Sequence, residues 1–189
     1  MSSLQVEMRS MKLLKKSLRC LILFIAPVAS TLVHAHGNAH VHGLIRLNVA
    51  IDAKNLTVQI EAPLDSLLGF EHRPRTAAQH QAVETMLKQM NNVSALIQPA
   101  KAAACQSTTV SVEAPVLQSS QPAASKEADH ADLSARFDFV CEHPDKLAVI
   151  ALGFFDAFKR VQKIDVQVAG PKSQSKQTLK RPSKTLKLP

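Results

Sequence analysis

Neither tryptophan nor tyrosine occurs among the 189 residues, and Phe alone supplies the 4% aromatic content. Without those flat, polar-tipped rings the chain has no platform on which a sugar-binding enzyme would stack its substrate. Glycine is also scarce, with 5 in all. There is no Gly-rich phosphate loop, no GxSxG nucleophile elbow and no dinucleotide fingerprint. The 3 cysteines are too few for a disulfide-dense scaffold, and none stands in the CxxC spacing of a thiolate zinc site. No apolar run reaches the ~20 residues that a transmembrane helix needs.

What is present is a foldable composition, 46% hydrophobic and 20% charged, in a length that suits one domain. The net charge of +8 is not spread along the chain. Residues 1–35 carry a balance of +4, residues 36–158 one of −4, and residues 159–189 one of +8. From Met11 the chain reads MKLLKKSLRCLILFIAPVASTLVHA, a basic stretch, a short apolar run and a small residue before a cut. That is the layout of a secretory signal, and it predicts export with cleavage after Ala35. The ten residues before Met11 lack this character, so either Met1 or Met11 serves as the start. For an exported protein the basic ends do not imply nucleic acid, and the tail at 171–189 is expected to be an edge strand or a solvated tail. The mature chain is expected to carry no transmembrane segment.

Cleavage removes Cys20 and leaves Cys105 and Cys141 in an oxidising compartment, where two cysteines of one domain usually pair. The expectation is a Cys105–Cys141 disulfide.

Residues 36–170 read as one α+β domain, mostly antiparallel, in the order ββαβββαβ. In HVHGLIRLNVAI, from His40, one parity holds Val41, Ile45, Leu47, Val49 and Ile51, and the other holds His40, His42, Arg46 and Asn48. Such alternation predicts a half-buried strand. A turn at Asp52–Asn55 and a second strand with Leu56, Val58 and Ile60 inward complete a hairpin. Thr76 with Gln79 forms a capping-box pattern, and Val83, Met86, Leu87 and Met90 then mark the buried stripe of a helix. Strands are predicted over 107–113, 131–141, 147–152 and 161–169, with a short core helix at Phe154, Phe155 and Phe158. The Pro-, Ser- and Ala-rich stretch 114–128 reads as a polar linker inside the domain.

Three places could carry chemistry. His36, His40 and His42 fall within seven residues. Two residues along one strand face separate His40 from His42 by ~6.8 Å, close enough for both imidazoles to reach one ion, with flexible 36–39 bringing in His36. Zinc is the expected metal, while copper and nickel suit the same imidazoles. His130 and Asp132, beside Glu127 and Asp129, offer a looser N/O site or a solvated strand entry. His72, between Glu71 and Arg73, is a further possible ligand or a hydrogen-bonded structural corner. Cleavage after Ala35 would also place His36 at the N-terminus, as in copper oxygenases acting on polysaccharides, but the missing aromatic platform argues against that enzyme. No serine sits in a nucleophile turn, so the chain is expected not to be an enzyme.

The blocks HGNAHVHGLIRLNVAIDAKNLTVQIEAPLDSLLGFEHRPRTAAQ, Ala104-Cys105, DHADLSARFDFVCEHPDKL, FFDAF and KIDVQVAGPKSQSKQTL occur in this order. Together they resemble the ZrgA-like zinc-regulated periplasmic proteins of Gram-negative bacteria, over essentially the whole mature chain. The resemblance implies a periplasmic zinc-binding protein that assists an inner-membrane zinc-uptake transporter. It matches the family's N-terminal His block to His36, His40 and His42, its Glu-His segment to Glu71, His72, Pro74 and Thr76, and its His-Ala-Asp entry to His130 and Asp132. The family's cysteines match Cys105 and Cys141. Many members are rich in His, Asp and Glu before the His-Ala-Asp entry; this chain reads VLQSSQPAASKEAD there, which leaves the N-terminal cluster as the main candidate. An exported interaction module without a metal of its own is the alternative reading.

Overall fold

A computed structural model describes residues 41–118 and 131–189. The expected signal segment and cleavage site, His36, His40, His130 and most of the predicted linker stretch lie outside the described residues.

The chain opens with the expected hairpin. Strand β1 (Leu44–Asp52) and strand β2 (Asn55–Pro63) pair antiparallel, with Asp52 opposite Asn55. The turn between them puts Ala53 in the left-handed region at φ 50°. Ile45, Leu47 and Val49 face inward with Leu56, Val58 and Ile60, all buried. The strand is shorter at its start than the alternation implies. Gly43 takes φ +74° and the Leu44 N–H closes back on the Val41 carbonyl at 3.1 Å, so His42 stands in a turn ahead of β1 and Val41 is exposed. The placement of His42 on the strand is therefore corrected: a left-handed glycine between His42 and Leu44 breaks the pleat that the spacing assumed.

Beyond β2 the chain forms helix α1 (Leu64–Leu68), for which the sequence reading named no element, and then helix α2 (Ala77–Asn91). Thr76 caps α2, its hydroxyl accepting from the Gln79 N–H at 3.2 Å. The reciprocal bond runs one residue earlier than the capping box implies, with Gln79 Oε1 accepting from the Arg75 N–H at 2.7 Å. Val83, Met86 and Met90 form the buried stripe.

There follow helix α3 (Val93–Leu96), strand β3 (Ile97–Pro99), strand β4 (Cys105–Glu113) and helix α4 (Pro115–Gln118). Helix α4 and the buried Ala114 correct the start of the linker stretch: Ala114–Gln118 belongs to the fold. Strand β5 (Asp132–Cys141) buries Leu133, Ala135, Phe137, Phe139 and Cys141 on one face. Strand β6 (Val149–Leu152), helix α5 (Phe154–Ala157), strand β7 (Lys163–Ala169), strand β8 (Gln174–Lys180) and strand β9 (Thr185–Lys187) complete the chain.

Six strands make one sheet in the order β4-β5-β2-β1-β7-β8, and β3-β6-β9 make a second. Every pairing is antiparallel except β1 with β7. The fold is α+β and mostly antiparallel. The apolar run at 147–152 yields a strand of the small sheet with one face buried: Ile150 and Leu152 are inside while Val149 is exposed. The basic C-terminal stretch supplies β8, an edge of the large sheet, and β9. One cluster joins the inner face of the large sheet to Met86, Met90, Ile97, Ile150, Phe154, Phe155, Phe158 and Leu186. The disulfide Cys105–Cys141 links directly opposed residues of β4 and β5.

Candidate functional site

Of the predicted ligands, His42 and Asp132 are described, together with His72. Both His42 and Asp132 lie at one end of the large sheet. His42 precedes β1, and Asp132 opens β5 opposite Pro63, the last residue of β2. The next residue along, Leu64, donates its N–H to the Ala131 carbonyl at 2.8 Å. The described chain just after residue 130 and just after residue 40 is thus tied to the β2–α1 corner.

That corner is built by sequence-adjacent polar residues on α1. Ser66 is the one fully buried polar side chain among the described residues. Its hydroxyl accepts from the Gly43 N–H at 3.0 Å and donates to the Leu44 carbonyl at 3.2 Å, which pins the turn. On the other side, the Gly43 carbonyl accepts from the N–H groups of Gln162 at 2.8 Å and Lys163 at 3.0 Å. A Cβ at residue 43 would come within 3.0 Å of the Arg160 carbonyl, so both the positive φ and the close approach require glycine.

Asp65 then reaches the His42 ring, with Oδ2 2.7 Å from Nδ1. The carboxylate is also held by Arg160, whose Nη2 lies 3.1 Å from Oδ1 and 3.4 Å from Oδ2, while Nε donates to the Asp65 backbone carbonyl at 2.8 Å. Burial works to raise the Asp65 pKa, but the hydrogen bonds from His42 and Arg160 and the charge of Arg160 outweigh it, so the carboxyl sits below the ordinary value. The side chain of Asp65 is 14% exposed, whereas that of His42 is 75% exposed. His42, Gly43, Asp65, Arg160 and Gln162 line a shallow cleft of about 330 Å³. One imidazole is thus held at its inner nitrogen and presented to solvent at its outer edge.

His72 is placed differently. Its Nδ1 donates to the Arg73 carbonyl at 2.7 Å and its ring stacks on Phe70 with centroids 5.2 Å apart. His80 and His143 are exposed. Among the described residues no group of three His, Cys, Asp or Glu side chains is arranged to hold a metal ion. A three-ligand chelate that includes His42 therefore needs at least one ligand from outside them, where His36, His40 and His130 lie.

Asp65, Ser66, Arg160 and Gln162 were not singled out by sequence reasoning. The adjacent Asp65-Ser66 pair after Pro63 is a helix-start signal, but nothing local points from Arg160 to a residue 95 positions earlier.

Residues 39–188 match the family profile described as ZrgA family zinc uptake protein. No curated protein matches the chain.

Proposed function

We propose, from the premise that this chain belongs to the ZrgA family of zinc uptake proteins, that it is a periplasmic accessory protein that binds zinc and delivers it to, or buffers it for, an inner-membrane zinc transporter. Zinc is the cargo. The observation that carries the reading is His42: an exposed imidazole fixed by a hydrogen bond to Asp65 at the end of the large sheet where Asp132 opens β5. Neutral imidazole is the commonest side-chain ligand for zinc, and a ring already oriented loses less entropy on binding. His36, His40 and His42 are the primary ligands of this proposal, with His130 and Asp132 secondary. The disulfide and the signal-like N-terminus both fit export, and no described helix is long and apolar enough to cross a membrane. Binding and release suffice for this role, so the proposal includes no catalytic step.

Isothermal titration of the mature protein with zinc, copper and nickel tests it. Zinc binding at micromolar concentration and neutral pH is expected, and the His40→Ala/His42→Ala variant should lose most of it while keeping its melting temperature in chelator. His130→Ala should have the smaller effect. Unchanged binding in the double variant removes the N-terminal site. No binding by the parent favours an exported interaction module without its own metal.

A further inference from the structure

We infer that Asp65 is the positioning residue for His42: it fixes the tautomer that leaves Nε2 bare and outward, so His42 takes zinc through Nε2 and Asp65 itself is no ligand. The inference rests on the zinc-binding reading and adds which atom of His42 binds and what selects it.

The geometry leaves little freedom. An ionised carboxylate only accepts hydrogen bonds, so the ring nitrogen 2.7 Å from Asp65 Oδ2 must carry a proton. A neutral ring protonated at Nδ1 has its lone pair at Nε2. With 75% of the side chain exposed, the outer edge of the ring is open to an incoming ion. Asp65 is in turn prevented from turning away. Arg160 touches both of its carboxylate oxygens and its backbone carbonyl, and the neighbouring Ser66 clamps the Gly43 and Leu44 backbone. Those contacts occupy the carboxylate and aim it at the imidazole. Histidines that ligate zinc commonly donate their other N–H to a carboxylate, which orients the ring and raises its basicity; losing that partner typically weakens metal binding about 10–100-fold.

The first test needs no metal. In the metal-free mature protein, labelled with ¹⁵N at histidine and held above the imidazole titration range, two-bond ¹H–¹⁵N spectra should show His42 protonated at Nδ1. Asp65→Ala should move it toward the Nε2–H form that free imidazole side chains prefer. Asp65→Asn should retain Nδ1–H, since the carboxamide oxygen still accepts. A merely structural role for Asp65 would leave the tautomer unmoved. Zinc titration should then find Asp65→Ala weaker by about 10–100-fold and Asp65→Asn between it and the parent. An Nε2–H tautomer at His42 in the parent overturns the inference whatever the zinc affinity. Parent-like affinity in Asp65→Ala, alongside a clear loss in His42→Ala, overturns it while leaving the zinc-binding reading intact. Parent-like affinity in His42→Ala removes His42 from the site and takes the inference with it.

Discussion

Breaking the Cys105–Cys141 bridge tests how the large sheet holds its β4 edge. The two residues are 36 apart in sequence, and in the chain-entropy account a loop of that size removes about 4 kcal/mol of freedom from the unfolded chain. At about 2–4 °C per kcal/mol for a domain of this length, the double Cys105→Ser/Cys141→Ser variant should melt roughly 8–15 °C lower. The structure adds a second expectation. Of the residues of β4, none is buried, and the strand is held by its ladder to β5, by Val112 packing on the core and by the bridge at its start. Removing the bridge should therefore release β4 locally before the sheet melts. Calorimetry gives the global number, and native-state hydrogen exchange should show protection lost in β4 well beyond that in β1, β2 and β7. Ellman titration of the denatured, unreduced parent should find no free thiol from this pair. A melting shift under about 3 °C with unchanged exchange in β4 would refute the reasoning, because the strand would then be held without the crosslink.

Gly153→Ala should lower stability by about 3 kcal/mol or more in a urea melt: its Cβ would lie 1.9 Å from the Ala95 carbonyl oxygen, which is backbone and can retreat only by moving α3. Ser66→Ala should cost about 1–3 kcal/mol, because it strands the Gly43 N–H in a buried site; an unchanged melt would show that water replaces the hydroxyl. Acid should weaken the protein through paired carboxylates. Asp138 is held below its ordinary pKa of 3.8 first by its hydrogen bond from Arg136, and Asp165 ends below 3.8 because hydrogen bonds from Thr178 and Lys163 outweigh its burial. A depressed folded-state pKa contributes stability at neutral pH that disappears as pH falls below about 3.8. Asp138→Asn should thus be destabilised at pH 7, with its difference from the parent shrinking as pH falls below about 3.8, and a difference that stays constant into acid would contradict the assignment.

Most of the fold is readable from local pattern. Period-two alternation located β1, β2, β5 and β7, because each strand has one core face and one wet face. The stripe Val83, Met86, Met90 located α2 for the corresponding helical reason. Short elements escaped. β3 and β9 have three residues each and acquire strand geometry only through β6, so their identity resides in a tertiary pairing. Pairing across 163–169 and 44–50, parallel and far apart in sequence, likewise has no local signature.

The site was legible at one end only. Clustered histidines are visible in sequence because imidazole is an uncommon side chain with specific chemistry. What orients one of them is invisible, since Asp65, Ser66, Gly43 and Arg160 are unexceptional residues until the fold brings α1 and the 160–163 segment against the turn before β1. The same contacts explain why the strand-face geometry failed. Had the pleat continued through residue 42, its side chain would have followed the alternation of β1. The left-handed Gly43 turns the chain there, and Ser66 secures that turn by bonding both Gly43 and Leu44. The residue that interrupts the strand thereby sets the imidazole beside its carboxylate, so the departure from regular structure and the presentation of the ligand have one physical cause.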